Sequence, residues 1–300
     1  MEEKSQSSKW LIGCGIGCAV VIVIGIIIVI SGYFLCRGTV QSFQQVENTQ
    51  KELEERYGSI EEYTPSPDGR IDPERIEIFL QVRDSMKTSI SELDTTLRKL
   101  EQLDKSENEK ESFWDVVGGL REGFGMVPDI ADFYLSRNNA LLSLDMSPGE
   151  YYYIYVMAYY SYLGKSPDDG PGDQVIRSGR GFTMTSGETE EEEPEESWEQ
   201  EMRSDRGIRM RQRIRWRIIP ILENQLNEIE ENPVMYSRTW RNALEKEINK
   251  LKDDRDRIPW EDELPEQLRS SLEPYKGRLE ESYNPVTNIF ELMQQQEWND

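Results

Sequence analysis

From Trp10 through Cys36 the chain carries no charged residue, and a run of that length fixes what the N-terminal end can become. At ~1.5 Å of rise per residue a helix over it reaches roughly 40 Å, enough for a hydrocarbon core of about 30 Å plus its interfacial layers. The expectation is one transmembrane helix over 10–36. Trp10 at one end and Tyr33 and Phe34 at the other are rings that settle at headgroup depth, and Lys9 and Arg37 close the segment with charge. A cleaved signal peptide has a shorter apolar region followed by a small-residue cleavage site, and neither feature fits. Gly13 and Gly17 form a G-x-x-x-G pair that permits close approach of a second helix, and so a homodimer through the membrane segment. The alternative is the ordinary tolerance of membrane helices for glycine.

Orientation follows from lysine and arginine beside the span. Lys4, Lys9 and the terminal amine crowd the short leader, whereas Arg37 is followed only by the more distant Lys51 and Arg56. This favours an N-terminus inside and residues 37–300 outside the cytoplasm.

Two absences bound the chemistry of the polar body. The cysteines Cys14, Cys18 and Cys36 all lie in the apolar run, and the sequence contains no histidine. Imidazole and thiolate catalysis are therefore excluded from residues 37–300, as are zinc sites built on either side chain. With a formal charge of -23, the body should repel nucleic acid. No cofactor is expected. Asp168-Asp169-Gly170 lacks the spacing and closing glutamate of an EF-hand loop.

Hydrophobic spacing makes the body all-α. Phe43, Val46, Leu53 and Tyr57 share a helical face that continues from the anchor to Gly58, and Thr64 to Gly69 is turn chemistry. Asp72-Pro73 then reads as a helix cap followed by proline in the first turn. Ile76, Phe79, Arg83, Met86, Ile90, Leu93, Leu97 and Leu100 follow at steps of three and four, and only Arg83 among them is polar. This seam is expected to pack within its own helical bundle, with an intermolecular coiled coil as the alternative.

Glycines thin one side of the segment between Phe113 and Phe124, and a further helix is expected after Pro128. Ser147 and Glu150 have the spacing of a capping box, which launches Tyr151 to Leu163. That helix has no solvated stripe, as befits a core element. The functional alternative is an aromatic binding surface, with Tyr152, Tyr155 and Tyr159 as candidate interaction residues. Residues 165–202 are acidic with little to bury and are expected to form a disordered loop. Arg209, Arg211, Arg213, Arg215 and Arg217 follow. They are candidates either for pairing with the acidic run or for binding a partner. The alternation of Met210, Gln212, Ile214 and Trp216 would suit a strand, but Met210, Ile214, Ile218, Leu222 and Leu226 favour a helix, kinked or restarted at Pro220. After Asn232-Pro233 another amphipathic helix carries Trp240, Leu244, Ile248 and Leu251, and a proline-interrupted tail wraps the bundle.

The expected organisation is a leader 1–9, a transmembrane helix 10–36, a juxtamembrane helix and linker 37–70, helical halves 71–164 and 203–300, and the acidic loop 165–202. The expected function is that of a membrane-anchored helical scaffold binding another membrane or envelope protein. One alternative is a carboxylate-dependent enzyme acting on cell-envelope polymer, with a pair of acids beside tyrosines. Another is a cytoplasm-facing adaptor whose arginine segment meets anionic lipid.

Overall fold

Each expected start of a helix in the body rests on a local device, and the computed structural model shows which devices operate. It describes residues 42–104, 113–170, 195–231 and 238–292. The chain divides into two compact units, 1–45 and 46–300, and the fold is that of the second. The expected transmembrane helix 10–36, with Gly13 and Gly17, lies outside the described residues. No helix among the described residues is long and apolar enough to cross a membrane.

Residues 42–57 form α1, which ends at Gly58 with φ of 76°, the left-handed conformation glycine adopts without strain. A 3-10 turn, Ile60–Glu62, leads to the Pro-rich corner. Gly69 there has φ of 77°, and a Cβ on it would lie 2.5 Å from the Trp240 ring. Both the turn and the close approach demand glycine. Asp72 caps α2 (Pro73–Ser85) by accepting from the Glu74 amide at 2.8 Å. Met86 interrupts the ladder for one residue before α3 (Lys87–Asp104). Ile76, Phe79, Arg83, Met86, Ile90, Leu93 and Leu97 are all buried, and α3 packs mainly on α4 (Phe113–Ser143). From Ile76 to Leu97 the seam is thus satisfied within the chain, and the Leu100 side chain lies outside the described residues.

α4 runs through Pro128 as one helix. Ser147 caps α5 (Pro148–Tyr155) by accepting from the Glu150 amide at 3.0 Å. The reciprocal half of the expected capping box is replaced, because Glu150 instead takes the Arg75 guanidinium through both oxygens, a stronger bidentate arrangement. The helix then widens to π geometry over Val156–Tyr162.

α6 (Glu195–Glu231) corrects the expected end of the acidic loop. Residues 195–202, expected in the loop, are helical, as the glutamates, Gln200 and Met202 among them permit. Pro220 lies inside the same helix without restarting it. Ile214, Ile218, Ile221 and Leu222 on either side of the proline are buried on one face, so packing keeps the helix whole. α6 packs on α7 (Arg238–Asp253). Short helices α8 (Glu266–Leu272), α9 (Lys276–Ser282) and α10 (Asn288–Leu292) complete the tail. The described residues are helical or irregular, with no strand among them.

Candidate functional site

The one polar position in the apolar seam of α2 and α3 leads to the centre of the molecule. Arg83 and Glu291 of α10 form an ion pair in which each side chain is only 1% exposed. A buried charge must be paired and hydrogen-bonded, and the surrounding side chains meet that requirement. Tyr151 donates to Glu291 Oε1 at 2.8 Å and accepts from Arg83 Nη1 at 3.0 Å. Arg83 Nη2 donates to the Ser282 carbonyl at 3.1 Å. Arg137 of α4 donates to Glu291 Oε2 at 3.2 Å, so two guanidinium groups share one carboxylate.

Aromatic faces supply the rest of the lining. The Arg83 guanidinium lies 5.5 Å from the Tyr155 ring centre and 5.8 Å from that of Tyr159, within the range of cation–π attraction. Tyr155 and Tyr159 meet edge to face at 4.7 Å. Burial raises the pKa of Tyr151, Tyr155 and Tyr160 well above the ordinary phenol range, so all three are neutral. Burial opposes the charge on Arg83, yet the Glu291 carboxylate paired with it, and the Tyr151 oxygen that accepts from its Nη1, outweigh burial and hold the guanidinium protonated.

The cluster fastens the C-terminal segment almost residue by residue. Tyr155 donates to Asn288 Oδ1 at 2.9 Å, and Asn288 donates to the carbonyls of Ser166 and Asp169. Tyr134 donates to the Phe290 carbonyl at 3.0 Å, and Arg217 to the Leu292 carbonyl at 2.8 Å. α10 has only a few residues to bury, and these polar contacts orient it where apolar area alone would not.

The candidates from sequence therefore separate into inward-facing groups. Tyr152, Tyr155 and Tyr159 are buried and present no surface to a partner. The aromatic stretch is core because its rings pack on Phe79, Arg83 and one another. Arg217 is buried as well, 5.6 Å from the centre of the Tyr152 ring. Arg215 donates to the carbonyls of Leu251 and Lys252, which closes the C-terminal end of α7, where cations are favoured. Arg211 meets Glu261 at 3.1 Å. These three arginines have internal partners on α7, the tail and the loops beside them. Arg209 is exposed and Arg213 half-buried, and each also holds an interaction within the protein.

Glu291, Arg137 and Asn288 carry the cluster and were not singled out by sequence reasoning. The available signals were a lone arginine in an apolar seam and a lone glutamate within Ile289-Phe290-Glu291-Leu292. Both oxygens of that glutamate are engaged by cations, so the arrangement cross-links helices and offers no free acid. Among the described residues no group of three or more Asp, Glu, His or Cys gathers as a metal site. Neither a family model nor a curated protein nor a solved structure matches this chain.

Proposed function

We propose that the protein is a membrane-tethered helical scaffold that binds another membrane or envelope protein, and that the contact face lies on α6 around Trp216. Trp216 is 68% exposed and is the exposed large hydrophobic side chain among the described residues. That observation carries the reading. Ile214, Arg217 and Ile218 beside it turn into the core, so the indole is left outside by the register of the helix. Tryptophan is enriched at the energetic centres of protein interfaces. The tyrosines and Arg217, by contrast, are occupied in holding the body together. The hollow of about 360 Å³ between Asn242, Glu245, Lys246, Asn249, Lys250 and Asp253 follows the i+3 and i+4 spacing of a single helix face and supplies no enclosed substrate cleft.

Site-specific photocrosslinking in native membranes tests this. A photoreactive residue in place of Trp216 should trap one reproducible protein, and the same residue in place of Lys246 on α7 should not. Equal capture from both positions, or capture of lipid alone from Trp216, would contradict the proposal.

A further inference from the structure

One cavity in the body gathers polar side chains that the ion cluster leaves incomplete, beside the apolar Leu53, Ile60, Leu141 and Pro148. It has a volume of about 30 Å³ and lies where α1 meets α4, α5, α6 and α10. Gln50, Arg137, Asn138, Tyr152, Arg217 and Glu291 supply its polar wall. Asn138 is fully buried. Its Nδ2 donates to Thr49 Oγ1 of α1 at 3.2 Å, while its Oδ1 has no partner. The Tyr152 hydroxyl is likewise buried without a partner in hydrogen-bonding geometry. A buried polar atom left without a partner is costly, so two such atoms on one cavity point to an occupant.

We propose that this cavity is a binding site for one water molecule, which donates to Asn138 Oδ1 and bridges to the Tyr152 hydroxyl. Size and chemistry agree. A water needs about 10–15 Å³ of such space and two to four polar partners, whereas cavities that stay empty are apolar. An anion is disfavoured despite Arg137 and Arg217, because an amide oxygen with its lone pairs free and the Glu291 carboxylate share the wall. Apolar ligands are disfavoured by the same groups. The water completes a polar path from α1, the helix that leads from the N-terminal unit, through Asn138 to the wall shared with Glu291. α1 is thereby joined to the central cluster by hydrogen bonds as well as by the buried Val46 and Leu53.

High-resolution diffraction from the full chain crystallised in detergent tests the site. The expected result is one density peak within about 3.2 Å of both Asn138 Oδ1 and the Tyr152 hydroxyl, without anomalous signal after a bromide soak. An empty cavity, or a peak that bromide replaces, would overturn the proposal. Asn138→Leu should abolish the peak. Tyr152→Phe preserves ring shape, so it tests the second partner even where the leucine variant fails to fold. It should displace or empty the site, and a peak unmoved by it would overturn the assignment.

Discussion

Two ion clusters, each built around an arginine–glutamate pair, sit in different surroundings. Arg83, Arg137 and Glu291 lie at the centre under tyrosine rings, with Arg83 and Glu291 almost completely shielded from water. Arg257, Glu247, Asp262 and Lys250 lie at the end of α7, where Glu247 is buried and Asp262 is open. In the second cluster Glu247 Oε1 also accepts from the Trp260 amide at 2.8 Å, which fixes a tryptophan held at φ of 58° and stacked on Trp240. The difference teaches that burial, more than the number of contacts, sets how much a charge controls. Water can replace a partner at the rim, but not under the tyrosines.

Alkali should expose that contrast most strongly. The folded pKa values of Tyr151, Tyr155 and Tyr160 lie above the unfolded value of ~10. Their contribution to stability is therefore full below pH ~10 and is lost as pH rises beyond it. The phenolate absorbance of these three should appear in one step that coincides with loss of helical circular dichroism. Gradual ionisation of those tyrosines in a still-folded protein would break the comparison. Next in size, Glu291→Gln leaves two guanidinium groups without their anion and should destabilise the body by about 3–5 kcal/mol in urea unfolding. Ser147→Ala removes the cap of α5 and should cost ~1 kcal/mol in the same assay.

The exposed pairs should matter least. Arg278 and Glu77 meet at 2.7 Å but are 48% and 42% exposed, so Glu77→Ala should change stability by less than ~1 kcal/mol. Hydrogen bonds from Arg257 and Lys250 hold the Asp262 carboxyl down to about 2. Its folded value lies below the unfolded ~3.9, so its contribution is present above pH ~4 and is lost as pH falls towards 2. In an acid titration followed by circular dichroism, Asp262→Asn should remove that part of the pH dependence and leave the neutral-pH profile nearly unchanged.

Local devices were legible in the sequence because each lies within a few residues. Asp72 and Ser147 cap where their spacing indicates, Gly58 ends α1, and the apolar seam from Ile76 to Leu97 is buried on one side. The aromatic stretch was readable as core because no polar stripe interrupts it. What escaped was pairing at long range. Arg83 marked a charge that needed a partner, but Glu291 lies 208 residues away, in a tail whose prolines hide any periodicity. The internal use of Arg215 was equally hidden, since its acceptors are backbone carbonyls of α7 and leave no trace in side-chain composition. Glu150 shows local spacing outcompeted, because a distant guanidinium offered it two hydrogen bonds where the capping box offered one.

The direct test of the central cluster is a double-mutant cycle on the full chain, with Arg83→Met, Glu291→Leu and the two combined, followed by urea unfolding. Glu291→Leu strands the buried Arg83 guanidinium and should cost about 3–5 kcal/mol, whereas Arg83→Met leaves Glu291 with Arg137 alone and should cost less. The combined change removes both members of the pair, so it should cost less than the sum by ~2 kcal/mol or more. If the two losses simply add, Arg83 and Glu291 are not coupled, and the buried pair does not hold the C-terminal segment to α2.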